Sequence, residues 1–292
     1  MASKKDILKK VLGELPLTAE VYQLVRQTDR PSASNFTLRN IRQILPETVS
    51  VVQQHRQGLP PGKKIFMFAS THYWLEHEVM TGLALTGMGH DVTLGYYPYG
   101  RWHVDSPQFD VRRQSVYANT VLRPAASVMH FENLVRNNST FVQLPDALLT
   151  GVEQVTDYDY MYAFQSEEVN RDDPFYTFRH ERNLHAAKSL YTYLRSLKPE
   201  IAIIPNGTIL EFGIAFKVCR FLKIPTTTYE FSDKRNAMWL AHNQEIMQQN
   251  TDDLWKAYAD FRLSGSELDE VKVLLSSRKN ASTYGDFSRK WQ

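Results

Sequence analysis

The chain has 292 residues, 42% hydrophobic and 23% charged, which excludes wholesale disorder and any collagen-like or low-complexity class. Lys and Arg number 34 against 32 Asp and Glu, and a net charge of +2 leaves no electrostatic footprint for nucleic acid. The single cysteine, Cys219, excludes an intramolecular disulfide and a cysteine-based zinc cluster, and no apolar run approaches the ~20 residues that span a bilayer.

Met1 to Lys10 carries charge with no apolar segment behind it, so no signal peptide is expected and the localisation read from the sequence is cytoplasmic. Residues 1–58 predict a helical extension. Ile7, Leu8, Val11, Leu12 and Leu15 recur at helical spacing before Pro16, and Val21, Leu24 and Val25 continue the pattern. A turn-rich patch over Thr28–Ser34 precedes another stripe from Phe36 to Gln54, which the cluster Gly58-Leu-Pro-Pro-Gly62 stops.

Lys64-Ile-Phe-Met-Phe-Ala69 then reads as a strand buried on both faces of a parallel sheet. The loop Ser70-Thr-His-Tyr-Trp-Leu75 leads into a helix from Glu76 to about Gly87, and Asp91–Tyr97 is a second strand. Strand, helix and strand within this span form a βαβ unit. Phe141–Leu144 and Tyr160–Phe164 are expected as further strands. The same grammar returns later: a helix over Asn183–Leu197, a strand over Glu200–Pro205, a turn at Asn206-Gly-Thr208, a helix to Leu222 and a strand over Ile224–Tyr229. After Phe231 the pattern is helical and polar over Ala237–Gln248, Leu254–Leu263 and Glu267–Ser276.

The predicted architecture is α/β: a doubly wound, mostly parallel, Rossmann-like sheet with helices on both faces. Its organisation is an N-terminal helical extension (1–58), the sheet domain (59–235) and a C-terminal helical segment (236–292).

Ligands of open α/β sheets bind beyond the carboxyl ends of the strands, and the candidate residues gather there. Neither Gly-x-Gly-x-x-Gly nor Gly-x4-Gly-Lys-Ser/Thr follows a strand, which argues against a nicotinamide dehydrogenase or a P-loop phosphotransferase. No cofactor is expected. The first loop carries Thr71, His72, Tyr73, Trp74, Glu76 and His77. A neutral imidazole can take a proton from a hydroxyl and a carboxylate can orient it, so His72 or His77 with Glu76 is a candidate base pair of groups. Each histidine also fits a helix start or the surface, and Trp74 fits packing as well as sugar stacking. The second unit offers Asn206, Gly207, Glu211 and Glu230. They equally fit turn residues, a dipole-complementing carboxylate and a salt bridge from Glu230 to Lys234 or Arg235. The five-residue step from His72 to His77 is no helical metal-ligand spacing, so no metal is expected there. Asp157-Tyr-Asp159 has the form in which two hard carboxylates hold Mg²⁺ or Mn²⁺, but such a short pattern is common by chance and here precedes its expected strand rather than following one. Cys219, among Phe216, Val218, Phe221 and Leu222, reads as a buried thiol.

Two stretches carry a family resemblance. Lys64-Ile-Phe-Met-Phe, the loop, and Leu83-Ala-Leu-Thr-Gly-Met-Gly-His-Asp-Val92 resemble the first βαβ of GT-B glycosyltransferases. Lys198-Pro-Glu-Ile-Ala-Ile-Ile-Pro-Asn-Gly207 with Leu222-Lys-Ile-Pro-Thr-Thr-Thr-Tyr-Glu230 resembles that family's later pair, and the combination is similar to the amino-terminal halves of bacterial surface or capsular polysaccharide enzymes. The resemblance covers about residues 60–250 and implies an acceptor-side half, with the nucleotide-sugar donor held mainly by a carboxyl-terminal domain that this chain ends too early to include. It implies a catalytic base near Thr71 and His72, with Glu76 or Glu230 orienting it. It implies a glycan or small-molecule acceptor near Asn206 and Gly207, to which the reading of the strand-end loops adds Thr71, Trp74, His77 and Glu211 as candidate binding residues. The alternative is a non-catalytic sugar-binding or scaffold module on the same sheet.

Overall fold

The computed structural model describes residues 4–26, 36–136, 141–232, 237–248 and 250–279. Two strands set the frame, β1 (Lys64–Ser70) and β2 (Asp91–Tyr97). Every residue after the first of each is buried, as expected of strands covered on both faces. They pair in parallel, Lys64 opposite Asp91 and Ser70 opposite Tyr97. The sheet continues with β3 (His130–Asn133), β4 (Ile201–Pro205), β5 (Thr226–Phe231) and β6 (Met238–His242) in the spatial order β3-β2-β1-β4-β5-β6. All neighbours are parallel except β6, which runs antiparallel to β5. The fold is thus a Rossmann-like, doubly wound α/β sheet, and its strand order reverses between β1 and β4.

The helical preface forms α1 (Lys4–Glu14), α2 (Thr18–Arg26) and α3 (Arg39–Arg56). One face of the sheet carries α4 (His72–Gly87) and α5 (Gln108–Leu122), with α3 lying on α4, and α1 and α2 on α5. Ile41, Leu45, Val49 and Val52 of α3 are buried at helical spacing, so that stripe seals the outside of α4. Arg112 of α5 ties down the preface, donating to Glu20 and to the carbonyls of Gly13 and Leu15. Gly82 lets α4 settle onto the sheet, since a Cβ there would lie 2.4 Å from Met129 Cε.

The other face carries α6 (Asp146–Phe164), α7 (Pro174–Leu197) and α8 (Leu210–Phe221). Cys219 is buried here, where burial pushes its thiol up to about 12. Beyond the sheet, α9 (Asp252–Ala257) and α10 (Gly265–Lys279) stand largely exposed.

Five expected elements differ: the expected loop Ser70–Leu75 is already helix from His72, the expected helix Leu254–Leu263 ends at Ala257, and three others change type. Phe141–Leu144 is irregular chain leading into α6, and Tyr160–Phe164 is the last turn of that helix, closed by Gln165 at φ 54°. Leu148, Val152 and Val155 are buried at helical spacing, and the helical stripe carries through the aromatic run. The third parallel strand on the β2 side is instead the short, polar His130–Asn133. Ala237–Gln248, expected as helix, begins with β6, because the open edge of β5 offers backbone partners from Thr227 to Phe231. The sheet therefore extends past residue 235. The patch Thr28–Ser34 and the partners Lys234 and Arg235 lie outside the described residues.

Candidate functional site

The strand order reverses between β1 and β4, and the ends of these two strands mark the crevice position at which open α/β sheets bind ligands. Two loops flank it. The first leaves β1 through Thr71, which holds φ 72° and ψ 160°, a region that β-branched residues rarely occupy. The second leaves β4 through Asn206 at φ 58° and Gly207 at φ 80°. The pairing of Met67 with Ile203 carries Ser70 to the level of Asn206 on the neighbouring strand.

Asn206 is a clamp. Its Oδ1 accepts from the Thr208 and Ile209 N–H groups at 3.0 and 3.1 Å, an Asx turn that sets the exit from β4. Its Nδ2 donates to Glu230 Oε2 at 3.1 Å, joining the ends of β4 and β5, and Glu230 Oε1 accepts from the Phe231 N–H. Gly207 is packed so closely that a Cβ would lie 2.5 Å from Thr228 Cγ2. Gly207→Ala therefore meets both a positive φ and a clash, and is expected to cost about 1–3 kcal/mol. A shift of the urea midpoint at unchanged m-value would register it, and an unchanged midpoint would contradict it.

His72 begins α4. Its ring meets the edge of Phe36 at 6.5 Å and of Tyr73 at 5.6 Å, and its Nδ1 is buried with no hydrogen-bond partner among the described residues. Burial lowers its pKa below the ordinary histidine value, with Glu76 nearby acting in the opposite direction. Glu76 does not orient the ring, because its two oxygens accept from Asn40 N at 3.0 Å and Asn40 Nδ2 at 2.7 Å, holding the start of α3. No hydrogen bond joins His72 to a carboxylate among the described residues.

Trp74 and His77 lie on another face of α4. Trp74 is 7% exposed, stacked on Phe231 at 5.3 Å and edge-on to Phe212 and Tyr229. Its ring fastens α4 to β5, and the face a sugar would use is already covered. His77 packs edge-on against Phe231 at 4.9 Å, and burial lowers its pKa.

Below the crevice lies a buried ionic group that the sequence analysis found only in part. Glu211, in the first turn of α8, accepts from Ser70 Oγ at 2.8 Å and Arg179 Nη1 at 3.1 Å, and lies 2.7 Å from Arg182 Nε. Arg179 is fully buried and also donates to Asp159 Oδ2 at 2.9 Å, to Asn183 Oδ1 and to the Trp102 carbonyl. Asp159 accepts in addition from Asn183 Nδ2 and from the Leu210 N–H at the start of α8. Burial opposes ionisation of Glu211, but Arg182, Arg179 and Ser70 outweigh it and bring its pKa down to about 2. Glu211 is therefore a structural anion with its oxygens committed. Asp157 faces away, toward Arg171 at 2.9 Å and the Tyr176 hydroxyl at 3.1 Å, so the Asp-x-Asp pair on α6 does not converge.

The structure thus brings Asn206 to Glu230, Glu211 to Ser70, and Trp74 with His77 to Tyr229 and Phe231. It sets His72 against Phe36 and Tyr73, with Thr71 and Gly207 shaping the two loops. Arg179, Arg182 and Asn183 had a signal in the sequence: polar residues at helical steps on the stripe that continues as Ala186, Ala187 and Leu190. No protein-family model matches the chain, and no curated protein matches it.

Proposed function

We propose that this chain is the acceptor-side half of a GT-B-type glycosyltransferase of polysaccharide or glycan assembly, with the β1–β4 crevice receiving a hydroxyl-bearing acceptor. His72 carries the reading. It stands at the carboxyl end of the central strand, its lowered pKa keeps the imidazole neutral at neutral pH, and its Nδ1 is unpartnered. In the step assigned to it, the acceptor hydroxyl loses its proton to His72 as its oxygen bonds the anomeric carbon of the donor sugar. The bond from that carbon to the nucleoside diphosphate breaks, and the diphosphate leaves with the electron pair. The donor is held mainly by a carboxyl-terminal domain of the kind GT-B enzymes carry.

His72→Ala in the full-length protein is expected to lower turnover at least ~100-fold, the lower range for loss of a general base. Wild-type kcat/KM should rise with pH through the depressed histidine pKa and level off near neutrality. Transfer rates unchanged by the substitution would remove the role.

A second reading, a non-catalytic sugar-binding or scaffold module, is favoured by the commitments of the side chains. Glu76, Glu211 and Glu230 are engaged with Asn40, with the buried arginines and with Asn206. Sugar binding that survives His72→Ala, in a full-length protein that transfers nothing, would select it.

A further inference from the structure

A cleft of about 890 Å³ opens where the chain leaving β2 passes the starts of α5 and α7, apart from the β1–β4 crevice. Its wall includes Tyr99, Asp105, Phe178, Glu181, Arg182 and His185. Arg182 is only 8% exposed, with its guanidinium carbon 3.4 Å from the centre of the Tyr99 ring. Nη1 donates to the Arg101 carbonyl at 3.1 Å and Nε faces Glu211, but Nη2 is buried with no acceptor among the described residues. An unsatisfied buried guanidinium donor costs free energy that an oxygen brought by a ligand would recover. The start of α5, capped by no side chain, lies in the same wall and favours negative charge there.

The rim has the opposite character. Glu14, Asp105 and Glu181 are exposed around the opening, a set of carboxylates suited to accept hydrogen bonds from hydroxyl groups and to repel a second anionic charge. The Tyr99 and Phe178 rings supply apolar surface between the two zones, and a volume of this order suits a small-molecule ligand.

We infer that this cleft binds a small molecule joining one anionic group to a hydroxyl-bearing body, a sugar monophosphate or a sugar acid. The anion lies toward Arg182 and the start of α5, and the hydroxyls lie toward Asp105 and Glu181. The inference does not depend on His72 or on any transfer reaction.

Calorimetric titration of the whole chain with glucose 6-phosphate, glucuronate, glucose and inorganic phosphate tests it. At least one of the two sugar anions should bind at least about tenfold more tightly than both glucose and inorganic phosphate. The phosphate or carboxylate source is identified by which of the two sugar anions binds more tightly. Arg182→Lys should weaken that binding about tenfold by losing the guanidinium fork. Thr177→Trp, at an exposed position lining the cleft, should block it while leaving the thermal midpoint in place, and decides the matter if Arg182→Lys fails to fold. No binding of either sugar anion up to ~10 mM, equal affinity for glucose or for inorganic phosphate, or full binding by Thr177→Trp would overturn the assignment.

Discussion

Arg179→Ala is expected to destabilise the fold by about 3–5 kcal/mol, the cost of breaking a buried ion pair by removing one partner. The side chain is fully buried, and its donors reach Asp159, Glu211, Asn183 and the Trp102 carbonyl. Burial works against its charge, but Glu211 and Asp159 outweigh that and hold its pKa above the ordinary arginine value. Without it, Asp159 keeps Asn183 and the Leu210 N–H, and Glu211 keeps Ser70 and Arg182, which leaves two buried carboxylates facing one arginine. The effect should reach beyond α7, because these contacts also seat the first turn of α8 and the end of β1. Arg179→Lys should recover little, since a single ammonium cannot reproduce the fork. The double variant Arg179→Met with Asp159→Asn removes one charge of each sign, and should be more stable than Arg179→Ala alone. Urea unfolding of the three variants measures this. A loss below ~1 kcal/mol for Arg179→Ala would show that the network is not what holds α7 and α8 to the sheet.

The same network shows where sequence reading reaches its limit. β1, β2 and β4 are legible because parallel strands covered on both faces need continuous apolar runs, and only such runs answer that need. β3 escapes because His130-Phe-Glu-Asn133 is a short edge strand with few buried positions, and β6 because its partner, not its own residues, makes it a strand. The Tyr160–Phe164 run has strand-like composition and ends a helix whose stripe began at Leu148. In the crevice, Asn206 and Glu230 are legible from position, since Asn206 follows β4 and Glu230 lies in the last residues of β5. Glu211 is found as a residue and missed as an ion, because its partners Arg179 and Arg182 precede it by a helix and a strand. Trp74 illustrates the reverse. Its place a few residues after a strand suggests ligand stacking, yet it sits in the first turn of α4, and Phe231, far along the chain, takes that face.

Glu78 adds a second buried carboxyl, with the opposite consequence for pH. It sits on α4, fully buried, where Oε1 accepts from the Tyr229 hydroxyl and Oε2 has no partner among the described residues. Burial pushes its pKa up to about 8, with the Tyr229 hydrogen bond pulling the other way. An unfolded chain releases this proton near the ordinary glutamate value of ~4.3. Between those values the folded protein binds more protons than the unfolded one, so this contribution to stability is full below ~4.3 and is lost as pH rises toward 8. The difference is on the order of 5 kcal/mol over the whole span, at about 1.4 kcal/mol per pH unit. His72, His77 and His185, each lowered by burial, act in the opposite sense, since their neutral folded forms gain stability as pH rises toward ~6.5 and keep it above that. Glu78→Gln separates the two. It keeps an acceptor for the Tyr229 hydroxyl and cannot ionise, so its thermal midpoint should hold or rise from pH 5 to 8 while that of the wild type falls relative to it. Glu211, with its pKa near 2, loses its own contribution as pH drops below ~4.3, which places the acid limb on the other side. Melting curves at half-unit intervals decide the point: parallel profiles for wild type and Glu78→Gln would mean that Glu78 is ionised in the fold, and that burial against Tyr229 does not hold its proton.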